Sequence, residues 1–408
     1  MTDAVELSES ESEEFRQRCR TFLEEHATGI PYDGPDPRGD QSLAAAQGYQ
    51  RALADAGLAG LTYPSEYGGQ GLTKAHERIY REEYAKYPDM TFQLTITHGM
   101  CLPMLAEYGS AEHKERFLAK NISAEELWCQ MFSEPGAGSD VASLQTKAEL
   151  DGEEWVINGQ KVWTTLAHQC DYGIAIARTD PAQPKHAGIS MFILDMRAPG
   201  VEIRPIHQID GGTHFNEVFF TDVRIPKDWL VGELNNGWNL ATSMLMYERV
   251  AIGSGSTSGV STTYYDRLIG EATKLGRTGE PVLRQKLMRL YSEEFAKSLV
   301  AMRTRAELQA GKTPGPGGSL GKLHGARISR LMRDLTIEVI GLESDAWVDG
   351  DKGEQWGKNI LASFQASIAG GTDEIQKNII GDRVLGLPRD ISVDKGVAFN
   401  ELKVGTQD

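Results

Sequence analysis

The hydrophobic period of this chain changes twice, and that change limits the folds open to it. Up to about Leu127 apolar residues recur at helical spacing. Phe15, Cys19, Phe22 and Leu23 form one stripe, and Leu43, Tyr49, Leu53 and Leu58 a looser one. Tyr63 to Gly71 reads as a loop between two helices, the second starting near Thr73. From about Trp128 to Asp228 the period falls to two. Tyr172 to Ala177, Ile189 to Leu194, Val201 to Ile206 and Val218 to Phe220 read as short strands, and Pro181 to His186 as an exposed connection. Asp151-Gly152 marks one hairpin, and Asn158-Gly159, between Trp155-Val156-Ile157 and Lys161-Val162-Trp163, marks another. From about Trp238 helical spacing returns, through Leu240, Met244 and Tyr247, Leu283 to Ala310, Leu323 to Leu342 and Trp356 to Ala369. A Gly/Pro-rich loop spans Lys312 to Gly321. The spacing predicts an α+β multidomain chain: an N-terminal helical domain (1–127), a middle antiparallel β-domain built as a barrel or sandwich (128–235), and a C-terminal four-helix bundle (236–408). With 408 residues, 40% of them hydrophobic, it can bury more than one core.

One segment carries turn chemistry beyond what a connection needs. The apolar run Trp128 to Phe132 breaks into Ser133-Glu134-Pro135-Gly136-Ala137-Gly138-Ser139-Asp140. Proline fixes φ, and the glycines remove Cβ where a flat ligand or another backbone has to come close. Ser133, Ser139 and the turn amides supply hydrogen-bond donors. By itself the segment reads equally well as an ordinary glycine-rich turn.

The net charge of −16 and a pI near 5.1 argue against nucleic acid or an anionic membrane as partner. Cys19, Cys101, Cys129 and Cys170 are widely spread, with no CxxC, as in a reduced cytosolic protein. The N-terminus is acidic and lacks the basic and apolar regions of a signal peptide, so a cytoplasmic location is expected. No stretch is apolar for long enough to span a bilayer, and the histidines form no HExxH pattern. Gly317 to Lys322 imitates a P-loop, but no strand precedes it and Leu323 replaces the Ser/Thr, so it reads as structural. Gly253-x-Gly255-x-x-x-Gly259 has the wrong spacing for a dinucleotide fingerprint.

Three segments downstream of the turn complete a signature: Ile157-Asn158-Gly159-Gln160-Lys161-Val162-Trp163-Thr164-Thr165, then Glu248-Arg249, then Gly370-Gly371-Thr372-Asp373-Glu374-Ile375-Gln376. In this order and at these distances, the chain resembles the acyl-CoA dehydrogenase family of flavoproteins from about Glu13 to about Asp390. The resemblance implies FAD as cofactor, an acyl-CoA substrate oxidised to the trans-2-enoyl-CoA, and electron-transfer flavoprotein as acceptor. By the same resemblance, the backbone at Met131, Phe132 and Ser133 and the hydroxyls of Ser133 and Thr165 face the isoalloxazine. Trp163 packs on that ring, or else belongs to the core of the β-domain. Ser139 matches a position that touches the acyl-CoA, and Tyr247 and Arg249 are further candidates for substrate contact.

The chain departs from the commonest family pattern in two places. Many members carry the catalytic Glu immediately before the Gly-Thr of the C-terminal motif, where this chain has Gly370. A minority branch, including isovaleryl-CoA dehydrogenase-like enzymes, carries it on the first helix of the bundle directly before an Arg. Glu248-Arg249 matches that branch, which makes Glu248 the expected general base. The Arg-x-x-Phe-Gly and Gly-Gly-Asn-Gly segments that reach a neighbouring subunit's FAD are also missing, and Glu338 stands where Gln is usual. Arg277, Thr372 and Glu374 remain candidates near the FAD tail. Either the tail is held differently in a homotetramer, or this chain pairs with a different subunit in an α2β2 tetramer, as some actinobacterial members acting on steroid side chains do. Two other readings stay open: a flavin monooxygenase or oxidase on the same fold, and a partner subunit that completes another chain's site.

Overall fold

The first helix begins where side chains can satisfy its free amides. In the computed structural model, which describes residues 7–29, 40–253, 263–309, 317–348, 352–389, 391 and 394–402, Ser8 caps α1 (Glu9–His26). Its hydroxyl accepts from the Glu11 N–H, and the Glu11 carboxylate accepts from the Ser8 N–H at 2.9 Å. Phe15, Cys19, Phe22 and Leu23 are all buried, as their spacing predicts. Next come α2 (Asp40–Asp55), α3 (Lys74–Tyr84), α4 (Leu102–Tyr108) and α5 (Ala111–Ile122). The loop before α3 follows the expected path, and its Gly68 takes a left-handed φ of 87°. Glu83 on α3 ties the layer together, with its carboxylate held by Arg16 at 2.7 Å, by Arg20 at 3.1 Å and by Lys86.

The strands are β1 (Trp128–Met131), β2 (Lys147–Asp151), β3 (Glu154–Thr165), β4 (Tyr172–Arg178), β5 (Ile189–Asp195), β6 (Val201–Pro205), β7 (Phe215–Pro226) and β8 (Leu230–Val231). They form one eight-stranded sheet in the order β6-β7-β3-β2-β4-β5-β8, with β1 beside β4. The sheet is mostly antiparallel, as the spacing predicts, with β1 and β2 both running parallel to β4. Antiparallel hairpins alone do not produce this, because β4 returns to the sheet after β2 and β3 have left it.

Asp151-Gly152 makes a tight turn, with Asp151 paired to Glu154 and Gly152 at φ 65°. The second expected hairpin is absent. β3 runs straight through Asn158-Gly159, and both halves pair with β7, Ile157 with Val223 and Gly159 with Phe220. The Asn158 side chain exchanges two hydrogen bonds with Asp222, at 3.0 and 2.9 Å, across the extra residue that β7 carries there. Gly159 is required for clearance: a Cβ would meet Thr146 Oγ1 at 2.4 Å.

The described residues divide into two compact units. The first is built from Met1–Ala251 and Ser392–Asp408, the second mainly from Ser261–Ile391. In the first unit α6 (Gly237–Gly253) buries Leu240, Ala241 and Met244 in the core that also takes α1, α4 and α5. In the second, α7 (Tyr264–Lys274), α8 (Pro281–Gln309), α9 (Gly318–Ile340) and α10 (Lys352–Ala362) share a core of Leu268, Leu283, Leu287, Leu290, Ile328, Met332, Leu335 and Trp356. A short α11 (Asp373–Ile379) follows. The helical spacing read from the sequence missed α7. Gly318 to Gly321, expected as loop, form the first turn of α9, while residues 310–316 lie outside the described ones. The last expected helix stops at Ala362 rather than Ala369. Among the described residues no helix is long and apolar enough to cross a membrane.

Candidate active site

The end of β1 and a bulge in β3 meet at one place. The Val162 N–H donates to the Ser133 carbonyl at 2.9 Å, which ties the start of the Gly/Pro turn to β3. Along β3 the partner of Lys161 is Val218 and that of Thr164 is Asn216, so Val162 and Trp163 together face Glu217 alone. The extra residue forces Trp163 to φ 60°, a left-handed backbone that bulky residues rarely adopt. It also throws the indole outward. Trp163 is 59% exposed and touches the Phe215 ring edge-on at 5.9 Å, so its second reading, as core of the β-domain, is corrected: the bulge turns it away from that core. Met131 and Phe132 are buried, whereas Ser133 and Thr165 are half-buried. The Ser133 N–H donates to none of the described residues.

Beneath this surface lies a buried charge cluster. Lys161 is fully buried; its ammonium donates to the Phe132 carbonyl at 3.0 Å and to Glu134 at 2.8 Å. Glu134 also accepts from the N–H groups of Gln145 and Thr146, at 2.6 and 3.0 Å. Burial works against ionisation at both groups. For Glu134 the Lys161 charge and hydrogen bond prevail and hold its carboxyl below the usual range. For Lys161 burial prevails and lowers the ammonium despite Glu134. Arg178 is buried as well, donating to the carbonyls of Ala142 and Lys185 at 2.6 Å each, and burial pulls it down to about 10. A cavity of about 310 Å³ borders Glu134, Gly136, Thr146 and Gln160. Ser139 sits exposed at the turn tip, and the neighbouring Asp140 pairs with Lys185 at 3.0 Å.

The base candidate lies on α6. The helix is fastened to α4 just before it: the Tyr247 hydroxyl donates to the Glu107 carboxylate, and the hydroxyls of Tyr108 and Ser243 are 3.0 Å apart. Burial, and then Glu107, push the Tyr247 phenol up. Glu248 and Arg249 belong to α6, but their side chains lie outside the described residues.

The remaining candidates belong to the second unit. Thr372 caps α11, its hydroxyl accepting from the Ile375 N–H at 3.3 Å. Glu374 is exposed, with Lys377 at 3.9 Å. Gly370 and Gly371 both take left-handed φ, 66° and 87°. Arg277 is already committed. It holds Glu280 bidentately at 2.7 and 2.9 Å and donates to the Glu338 and Val339 carbonyls.

Lys161 and Glu134 escaped the sequence reading although both sit inside its motifs. The available signal was the parity of β3, which gives Lys161 the same inward face as Trp155 and Ile157. Glu107, which anchors Tyr247, carried no such signal.

Comparison with known proteins places the chain in a family. The profiles of the N-terminal, middle and C-terminal domains of acyl-CoA dehydrogenases match residues 9–125, 129–223 and 235–385. Acyl-CoA dehydrogenase IpdE1 of Mycobacterium tuberculosis is 38% identical over 385 residues, which is 93% of this chain and 98% of that protein. The chain belongs to the acyl-CoA dehydrogenase family. Short-chain specific acyl-CoA dehydrogenase of human mitochondria is 27% identical across 94% of this acyl-CoA dehydrogenase homologue and 92% of its own length. Among solved structures, the Tcur3481-Tcur3483 steroid ACAD superposes with a TM-score of 0.75 at 26% identity over 93% of this chain and 98% of that one. The ChsE4-ChsE5 complex of Mycobacterium tuberculosis gives 0.70 at 26% identity over 95% and 100%. Acyl-CoA dehydrogenation is thus the general chemistry of this enzyme family, whose members are flavoproteins.

Proposed function

We propose that this chain uses FAD to oxidise an acyl-CoA thioester to the trans-2-enoyl-CoA, with Glu248 as general base. The observation that supports it most is Trp163. A bare indole at a strained φ beside an unpaired Ser133 N–H is expensive to build without a ligand to cover it. A planar ring with acceptor atoms at its edge fits that surface. The ring would lie against Trp163, accept from the Ser133 N–H and hydroxyl at the end of Met131-Phe132, and accept from the Thr165 hydroxyl. Bound FAD supplies a hydride acceptor for the β-hydrogen. This chain's own residues do the rest. Glu248 takes the α-proton onto its carboxylate, and the C–H electron pair becomes the new C=C bond. Tyr247, held by Glu107, and Arg249 border the same stretch of α6, and Ser139 meets the CoA portion from the turn tip. Thr372 and Glu374 would stand toward the FAD tail in the second unit, the former with its hydroxyl proton still available.

Arg277 is left out of this set, because four of its N–H donors are already used within its own unit. That supports a mixed assembly over a homotetramer, with the FAD tail gripped by residues of a different subunit. The solved neighbours named for two chains fall in with it, and the steroid description of the Tcur3481-Tcur3483 protein favours a bulky, branched or polycyclic acyl group. α8 supports assembly in either form. Met288, Tyr291, Phe295, Leu299 and Met302 are all exposed at three- and four-residue spacing, one apolar stripe along about four turns of the 29-residue α8. Electron-transfer flavoprotein is the proposed acceptor, and the cytoplasm the proposed location.

The test is FAD counted per chain, then turnover of an acyl-CoA panel with a dye acceptor. Glu248→Gln should retain FAD and lose roughly 10²–10⁴ in kcat. Full turnover in that variant would overturn the assignment of the base, and a chain or complex that takes up no FAD would overturn the function.

A further inference from the structure

We infer that Lys161, set against Glu134, is a positioning residue that tunes the flavin through the Phe132–Ser133 peptide. The inference rests on the placement of the flavin proposed above. A cation that donates to a peptide carbonyl polarises that peptide and strengthens the N–H on its other side as a donor. Lys161 donates to the Phe132 carbonyl at 3.0 Å, and the N–H of the same peptide belongs to Ser133. That N–H has no acceptor among the described residues and stands next to the exposed Trp163. The carbonyl, the cation and the donor therefore form one line from the protein interior to the surface where the ring is placed.

The setting suits this task better than simple support. A fully buried ammonium is an expensive way to hold a strand end, since a methionine of similar length fills the same space. The enclosure keeps the field of the charge undiluted by water. Glu134 opposes the effect of burial on the lysine charge, and its own position is fixed by the Gln145 and Thr146 amides. Glu134 also begins the turn after Ser133, exchanging backbone hydrogen bonds of 3.0 Å with Ala137 in both directions. One salt bridge therefore spans the two motifs, SEPGAGSD and INGQKVWTT, and holds them in a single register. The nearby Arg178, whose donors go to carbonyls, keeps the cluster net positive beneath the site.

Variants of the pair separate tuning from support. Lys161→Met alone leaves Glu134 as an uncompensated buried charge and should destabilise the fold. The double variant Glu134→Gln, Lys161→Met removes both charges and keeps the volume. It should melt within a few degrees of wild type, yet bind oxidised FAD about tenfold more weakly and reduced FAD weaker still, with its visible flavin bands displaced. Equilibrium binding and absorbance spectra read this without turnover. A double variant with wild-type bands and an unchanged ratio of affinities for the two redox forms would overturn the inference while the functional reading stands. A wild-type chain that binds no FAD overturns both.

Discussion

Gly370 occupies the place where many relatives of this fold carry a carboxylate, and its backbone makes a quantitative prediction. At φ 66° it lies in the left-handed region. A side chain there costs about 1–2 kcal/mol, partly offset by the roughly 0.4–1 kcal/mol gained when glycine leaves the unfolded chain. The loop cannot easily relax, because Gln376 donates to the Gly370 carbonyl at 2.9 Å and Lys322 to the Gly371 carbonyl at 2.6 Å. Gly370→Ala should therefore destabilise the second unit by about 1 kcal/mol, a drop of about 3 °C in its melting temperature. Gly270→Ala is the control. That glycine lies in the interior of α7, and a Cβ there meets nothing within 4 Å, so the change should stabilise by about 0.5–1 kcal/mol. Both are read by differential scanning calorimetry on the purified protein. If Gly370→Ala melts at or above wild type, the left-handed requirement is wrong.

Three further outcomes follow from the same structure. Burial works against ionisation of Glu83, but hydrogen bonds from Arg20, Lys86 and Arg16 outweigh it and bring the carboxyl down from 4.5 to about 2. A lowered folded-state pKa gives stability that is complete above pH 4.5 and is lost as the pH falls toward 2. Glu83→Gln should lack that dependence in acid titrations and be less stable by about 2 kcal/mol at neutral pH, allowing for screening by its half-exposed partners. Trp163→Ala should weaken FAD by about tenfold, as covering roughly 60 Å² of indole at about 25 cal/mol/Å² gives about 1.5 kcal/mol; unchanged affinity in a fluorescence titration would place the ring elsewhere. Phe295→Glu with Leu299→Lys should shift the assembly to smaller species in sedimentation while the helical circular dichroism persists, and an unchanged sedimentation coefficient would free α8 of any interface.

Periodicity carried the order of helices, sheet and helices, because burial of one face repeats on a scale that the sequence displays directly. It failed where the deciding partner was far away. Asn158-Gly159 has the local chemistry of a turn, yet its two halves both pair with β7, some sixty residues further on. α7 went unread because it is only eleven residues long; Tyr264, Tyr265, Leu268, Ile269 and Ala272 do repeat at helical spacing, but only Leu268 and Ala272 are fully buried. The motifs brought Ser133, Trp163 and Thr165 into view, but not that a bulge would turn the indole outward. The engagement of Arg277 with the end of α9 was likewise invisible, being a contact across 61 residues.

The outward indole has a consequence for the newly made chain. Until something flat settles on Trp163, the fold displays a sticky patch to chaperones, proteases and other copies of itself. Holding it covered shifts the balance toward the native state by mass action, so cells short of riboflavin should contain less of this protein at the same messenger level.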